Sequence, residues 1–451
     1  MISESIFRAY DIRGVYGKTL TEEIAQRIGR AFASYLEGEG KTVIMGKDVR
    51  ESSKPIGEAF MTGMLQGGLN VEDIGVVTTP LLYFSSAHYK RDGGVMVTAS
   101  HNPPNWNGFK ILGEDGFVSQ GMGMEELKEL TVKGEFPESE KGRFKDKPEA
   151  KFDYQNYVAD QVNIERELKV VADPGNGACS VLTPELFNKV GINVYPIYAE
   201  PDGKFSDHPP EPTDETLSYL SSLVINKEAD FGVAFDGDGD RALFIDDKGK
   251  RLKGNSVLNI LTKYYLQKQP HTAVVYEVSC SMSIKETIEA YHGTPVLSRV
   301  GHAYMFDKMS KQNAVLGGET SGHYYFQDVY GFDDAFYASL KMAEILSQTE
   351  EKLSQMVDSL PDYPRIPSRN YPCPDEEKFR VVEEISEDFK NTGYETVTID
   401  GVKIMDERGW FLIRPSNTQP VIRVTVEAKD QEKLQELADL AEKKIKEKTE
   451  K

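Results

Sequence analysis

Three aspartates alternate with glycines at Asp236-Gly237-Asp238-Gly239-Asp240, and Arg241 closes the run. Carboxylates at every second position of a tight loop present hard oxygen ligands on one side, a donor set that suits Mg²⁺ with a position left open for a phosphate oxygen. Without a cation, acids this close repel one another, which argues against an idle acidic turn. An EF-hand does not fit, because Arg241 stands where a calcium loop needs glycine and the flanks Phe231–Phe235 and Ala242–Ile245 read as strands. An aspartyl-phosphate enzyme with Asp236 as nucleophile is the rival chemistry.

The second candidate is Ser100, in the stretch VTASHNPPNWNGFK at 97–110. The apolar lead-in at 93–97 predicts a short buried strand, and Asn102-Pro103-Pro104-Asn105 predicts a turn, since two prolines remove donors and forbid helix before them. Ser100 therefore lies at a strand tip, where loops carry chemistry. A G-x-S-x-G elbow is missing, and strand alternation predicts that His101 projects away from Ser100, so a Ser–His hydrolase dyad is not indicated. A phosphorylated serine fits better: its charge of about −1.5 to −2 would bring one more oxygen to the metal. A turn serine that caps a helix is what Ser100 would signify if the other loops were absent. Three aspartates and a phosphoserine total about −5 against the metal's +2, so cations must be close. Arg13, Lys110 and Arg241 each lie in or beside a motif and are the candidates.

Two more loops carry polar groups. Gly317-Gly318-Glu319-Thr320-Ser321-Gly322-His323 offers a carboxylate, hydroxyls and an imidazole, the groups that read sugar hydroxyls, because each missing partner leaves a buried polar group unpaired. His323 could equally be a structural histidine. Arg414-Pro415-Ser416-Asn417-Thr418-Gln419-Pro420, with Arg423 on the following strand, reads as a phosphate clamp, since arginine grips phosphate with two parallel donors. A plain surface turn is its alternative.

The elements that must position these loops repeat along the chain. A strand at 41–46 ending in glycine leads through a helical stretch to Gly68 and another strand. The segment 168–175 starts the same way, continues through an expected helix at 182–190, and reaches Gly191. A fainter copy runs from 272–276 through a helix at 282–291 to Gly293. Strand, helix, strand is the grammar of βαβ units and a mostly parallel sheet. Each copy delivers one polar loop after a strand, where ligands of open α/β sheets bind, so three related domains around one cleft are expected. Candidate boundaries are the charged stretch 141–151, the turn 246–254 and the proline-rich run 360–374. Beyond it, alternation at 421–428 and a charged amphipathic helix at 430–446 predict a smaller α+β domain. The expected domains are 1–150, 151–252, 253–366 and 367–451.

Composition narrows the function. A chain of 451 residues exceeds one domain, and its net charge of −20 argues against nucleic acid and requires a local positive cluster to draw in a phosphorylated ligand. No apolar run approaches a membrane span, and the first residues lack a basic-then-apolar leader, so a cytoplasmic protein without membrane contact is expected. Three scattered cysteines, Cys179, Cys280 and Cys373, support neither a disulfide framework nor a cysteine zinc site.

Taken in order, TASHNP, DGDGDR, GGETSGH and RPSNT, with the opening Phe7-Arg-Ala-Tyr10-Asp-Ile-Arg13-Gly14, resemble the α-D-phosphohexomutase family over almost the whole chain. The resemblance implies an α/β fold of four domains in a heart shape: three related mixed-sheet units and a smaller C-terminal α+β unit around a central cleft. It implies that Ser100 is the phosphorylated serine and a metal ligand, with Asp236, Asp238 and Asp240 holding Mg²⁺. Glu319 and Ser321 match the sugar readers, and Arg414, Ser416, Asn417, Thr418 and Arg423 the site of the non-reacting phosphate. Tyr10, Arg13, His101, Lys110, Arg241, His302 and His323 resemble the polar cleft lining, with His101, Lys110 or His302 as proton carriers. The implied activity interconverts hexose 1- and 6-phosphates through a glucose or mannose 1,6-bisphosphate, in a monomer or homodimer. The form of the sugar loop looks most like phosphomannomutase/phosphoglucomutase members. Phosphoglucosamine mutases tend to carry Gln at the place of Thr320 and Gly at that of Asn417. A phosphosugar-binding regulator is the non-enzyme alternative, although every reactive position is intact.

Overall fold

The computed structural model describes residues 2–114, 116–119, 121–390, 392–416 and 420–449. Its strands form four sheets. The first holds β1 (Ile12–Val15), β2 (Thr42–Lys47), β3 (Asn70–Val76), β4 (Gly93–Val97), β5 (Trp106–Gly113), β6 (Gly116–Phe117) and β7 (Phe144–Asp146), in the order β1-β5-β4-β2-β3-β7 with β6 on β5. The second holds β8 (Lys169–Asp173), β9 (Asn193–Pro196), β10 (Phe231–Phe235) and β11 (Ala242–Ile245), ordered β11-β10-β8-β9. The third holds β12 (Ala273–Glu277), β13 (Thr294–Ser298), β14 (Leu316–Gly318) and β15 (Tyr324–Phe326), ordered β13-β12-β14-β15. The fourth is β16 (Arg365–Pro372), β17 (Glu395–Val397), β18 (Val402–Asp406), β19 (Gly409–Pro415) and β20 (Val421–Ala428), in the order β16-β20-β19-β18-β17.

The first three sheets share one plan. Three parallel strands (β3, β2, β4; β9, β8, β10; β13, β12, β14) are followed by an antiparallel return strand, β5, β11 or β15. β4 and β10 are buried along their whole length, as parallel strands covered on both faces must be. The three polar loops are the links from the last parallel strand to its return strand: 98–105, 236–241 and 319–323. The fourth sheet is antiparallel throughout, and in β20 Arg423 is exposed between buried Ile422 and Val424, while the rest of the strand from Val424 to Ala428 is buried. Its clamp loop again joins antiparallel neighbours, β19 and β20.

Buried side chains of the first three units merge. One cluster runs from Ile44 and Phe84 through Val170 and Phe231 to Leu258 and Phe336, and the helix Ala335–Ser347, buried at every residue and capped by Asp334 accepting from Tyr337 N, lies within it. The fourth unit keeps its own core around Phe411, Val424 and Leu437 and meets the third through a small patch of Val278, Trp410 and Leu412.

One expectation is corrected. The helix expected at 182–190 is only Glu185–Lys189, preceded by a 3₁₀ turn at Ala178–Val181, because Pro184 disfavours helical backbone at the residue before it. The proline-rich run 360–374, expected as a boundary, also contains β16, whose Pro367 and Pro372 are tolerated because that strand forms the sheet's edge. The three cysteines are free and buried.

Candidate active site

The Ser100 loop is fastened from beneath by an arginine. At the end of β2, Asp48 and Arg50 form a wholly buried ion pair of 3.0 Å. The Arg50 guanidinium donates to the carbonyls of Ser100 (2.6 Å), Asn102 (2.6 Å), Pro103 (2.7 Å) and Trp106 (3.2 Å), while Asp48 accepts from Thr98 Oγ1 at 2.7 Å. Four carbonyls turned onto one cation fix a loop whose prolines cannot donate. Ser100 adopts φ +52, the left-handed region. That twist ends strand alternation, so His101 does not project away: its Nδ1 lies 3.1 Å from Ser100 Oγ, contrary to the expectation from sequence.

Ser100 Oγ donates to Asp236 Oδ2 at 2.8 Å, across two sheets. Both glycines between the acids are explained by space. A Cβ on Gly237 would lie 2.5 Å from the Ser100 carbonyl oxygen, and Gly239 has φ +77 and would press on Cys179 Sγ. Ligand oxygens of Asp236, Asp238 and Asp240 lie within 4.8 Å of one another. Asp238 Oδ2 accepts from Thr79 Oγ1 (2.5 Å) and Lys110 Nζ (2.7 Å), and Lys110 also donates to Asp240 Oδ2. Asp238 Oδ1 and Asp240 Oδ1 are buried without a hydrogen-bond partner among the described residues. Two orphaned carboxylate oxygens beside a third acid fit a divalent metal, which would satisfy them.

The charges are strongly perturbed. Burial, with Asp240 and Asp238 nearby, pushes Asp236 upward against the pull of Arg241. Burial would also raise Asp240, but Lys110, His323 and Arg241 outweigh it and hold that carboxyl low. Burial disfavours the Lys110 ammonium, yet Asp238 and Asp240 more than compensate, so it stays charged. Arg241 donates to Asp236 at 3.2 Å and forks onto both oxygens of Glu211 at 3.2 Å. Arg13 bonds Asp11 (2.8 Å) and Asn102 Oδ1 (2.6 Å), which places a second guanidinium against the serine loop.

On the third loop, Glu319 accepts from Gly301 N at 2.7 Å and Tyr325 OH at 2.8 Å, and burial, opposed by His323, raises its pKa. Ser321 is exposed. His323 stands 2.7 Å from Asp333 and 3.8 Å from Asp240; burial opposes its charge, but these acids raise its pKa to about 9. His302 opens the helix His302–Gln312 and packs edge-on against Tyr10 and Phe117. Its Nε2 has no partner among the described residues, and burial, then Lys110, keeps the ring neutral. His101 is likewise held neutral, lowered to about 2 by burial, Arg241 and Arg13. Burial, with Asp11 and Glu319, raises the Tyr10 hydroxyl to about 12.

Arg414 and Arg423 are direct cross-strand partners on β19 and β20, which sets two guanidinium-bearing residues side by side at the clamp loop, with Arg414 also paired to Asp400 at 2.8 Å. Ser416 is buried and its N–H donates to the Val421 carbonyl at 3.0 Å. Asn417 and Thr418 lie outside the described residues.

Sequence reading missed Arg50, Asp48, Thr79, Glu211 and Asp333. Only the first two left a signal: a charged pair directly after a strand of the repeat, the same end at which the polar loops sit.

Three mixed-sheet α/β units and one antiparallel α+β unit, each offering one polar loop, with three of the loops meeting at one cation-lined cluster, define a multidomain protein shaped for an anionic ligand. Comparison with known proteins supplies the rest. The phosphoglucomutase/phosphomannomutase α/β/α domains I, II and III match residues 4–138, 152–249 and 253–363, and the C-terminal domain of the same proteins matches 370–444. A phosphomannomutase/phosphoglucomutase of Pseudomonas putida is 35% identical over 97% of this chain and 95% of its own. A probable phosphoglucosamine mutase of Methanosarcina acetivorans is 34% identical over 98% and 99%. The crystal structure of a phosphoglucomutase/phosphomannomutase family protein from Burkholderia thailandensis superposes with a TM-score of 0.91 at 32% identity, covering 99% of this chain and 98% of that one. The chain belongs to the phosphoglucomutase/phosphomannomutase family.

Two outcomes are expected at this site. Burial makes the Asp236 proton harder to release, so if the triad holds a divalent cation, Mg²⁺ used as the probe should bind more tightly at about pH 8 than at about pH 5.5 by calorimetry; equal affinity would contradict the triad as ligands. Gly237→Ala, by displacing the Ser100 carbonyl, lowers phosphohexomutase turnover by about a hundredfold while the circular dichroism spectrum is kept.

Proposed function

We propose that this protein is a cytoplasmic, Mg²⁺-dependent phosphomannomutase/phosphoglucomutase that works through phosphoserine 100 and a hexose 1,6-bisphosphate. The observation that carries the reading is the 2.8 Å hydrogen bond from Ser100 Oγ to Asp236, the first acid of the metal-fitting loop. Family membership over nearly the full chain supports it.

The chemistry follows from the groups present. A free hydroxyl of the bound hexose monophosphate attacks the phosphorus carried by Ser100; a new P–O bond to the sugar forms as the bond to Oγ breaks. Arg13, Lys110 and Arg241 neutralise charge on the transferring group, and Mg²⁺ held by Asp236, Asp238 and Asp240 would supply Lewis-acid stabilisation of the phosphoryl oxygens. The proton of the attacking hydroxyl needs a neutral acceptor. Lys110 is a cation tied to two carboxylates, so its role is electrostatic, and the acceptor falls to His101 or His302, both held neutral by burial. Glu319 keeps lone pairs free beyond its two protein donors and reads sugar hydroxyls together with Ser321, while Arg414, Ser416 and Arg423 hold the other phosphate. In the second half-reaction the bisphosphate lies turned around, and Ser100 recovers the other phosphoryl group. Glucose and mannose share the configuration of the 3- and 4-hydroxyls, so one pair of readers serves both.

The test is an assay with Mg²⁺ and a trace of glucose 1,6-bisphosphate, following mannose, glucose and glucosamine 1-phosphates to their 6-phosphates. Turnover of mannose and glucose phosphates with little of glucosamine phosphate is expected; the reverse preference would assign a phosphoglucosamine mutase. Ser100→Ala should lose at least about a thousandfold in kcat with the fold intact. Near-normal turnover of that variant would refute the phosphoserine.

A further inference from the structure

Asp400 lies in the turn at 398–401 between β17 and β18, and one of its oxygens is shared between two domains. Oδ2 accepts from Arg414 Nη2 at 2.8 Å and from Val300 N of the third domain at 3.2 Å. The turn reaches Arg414 because the next residue is Gly401, at φ +75: a Cβ there would lie 2.8 Å from Arg414 Cγ and 2.3 Å from the Ile413 carbonyl oxygen. On the other side, the peptide after Val300 is that of Gly301, whose N–H holds Glu319 Oε1 at 2.7 Å. Gly301 is also where the Tyr10 ring presses on the chain, with φ +123 and 2.8 Å from a Cβ to Tyr10 Cε1, and where the helix bearing His302 begins.

One carboxylate thus grips the clamp arginine directly and, through two consecutive peptide N–H groups, the loop that holds the sugar-reading carboxylate. Its hold on one Nη fixes the plane of the guanidinium. Nε of Arg414 is buried and has no acceptor among the described residues. We propose that Asp400 is a positioning residue that couples the phosphate clamp to the sugar-reading loop, so that Arg414 and Glu319 take hold of the ligand, and let it go, as one unit. The inference rests on the mutase reading. It answers a requirement of that reaction: a bisphosphate that must turn around has to be released by both grips together, and a shared contact at the joint between the third and fourth domains links the two equilibria.

Asp400→Asn preserves size and an oxygen for Val300 N but removes the charge facing Arg414. With glucose 1-phosphate as substrate, it should raise KM by about tenfold or more and leave kcat within about threefold. In a cycle with Glu319→Gln, the joint loss in kcat/KM should fall short of the product of the single losses by at least about threefold. A merely structural Asp400 would instead lower the thermal midpoint and reduce kcat at constant KM. An unchanged KM, or multiplicative losses, overturns the coupling. If the wild-type protein turned over no hexose phosphate, the mutase reading would fail separately, and the same cycle read as Kd for glucose 1,6-bisphosphate would decide: no weakening in Asp400→Asn again overturns it.

Discussion

The interaction on which the rest of the structure depends is the grip of the Lys110 ammonium on Asp238 and Asp240. Three carboxylates buried within a few ångströms cannot coexist uncompensated, and the compensating charge arrives from another domain, on β5. That contact joins the first two sheets, and it brings Ser100, at the other end of the β4–β5 connection, against Asp236. Lys110 and the Asp48–Arg50 pair therefore divide the work: one sets where the two loops meet, the other sets the shape of the serine loop. Removing either partner of such a buried pair would leave an unpaired charge, which makes the arrangement rigid.

Repetition of one topology explains how distant motifs converge. In each of the first three sheets the polar loop follows the last parallel strand and precedes an antiparallel return strand, so it emerges at the same end of every sheet. Packing these sheets around one continuous core points those ends at one another. The fourth unit reaches the same place by a different plan, an antiparallel hairpin, and has a core of its own. Its attachment is a small apolar patch supplemented by polar contacts: Lys403 donating to the Val278 carbonyl at 2.9 Å, Glu427 accepting from Met282 N at 2.8 Å, and Asp400 accepting from Val300 N at 3.2 Å. The fourth unit is thus joined by a few specific polar contacts, with Lys403 and Glu427 buried, whereas the first three share one fused hydrophobic core.

The electrostatics sort the titratable groups by neighbour rather than by type. His323, between Asp333 and Asp240, is held as a cation, while His302 and His101, buried close to Lys110 or the arginines, are held neutral. Three histidines in one cleft thus differ in charge: one is a cation set against the acidic cluster, and two are neutral.

Much of this was legible in the chain itself. Glycine-framed runs of acids, the Ser-His-Asn-Pro-Pro turn and an arginine-proline loop are local statements, because the chemistry needs those residue types at adjacent positions and the backbone needs glycine or proline between them. The strand-helix-strand repeat was legible for the same reason, since periodicity is local. What the sequence could not state was anything carried by one residue far from its partner. Glu211 reads as an ordinary acid until it meets Arg241, and Asp400 as a turn residue until it meets Arg414 and Val300. The position of His101 depended on a single left-handed φ at Ser100, which no strand alternation foretells, and the length of β16 on whether a proline-bearing segment found an edge to pair with. Residue type and spacing determined what chemistry this protein carries; which atoms face each other, and which histidines stay neutral, depended on burial and on charges supplied by other domains, and only the tertiary structure decides those.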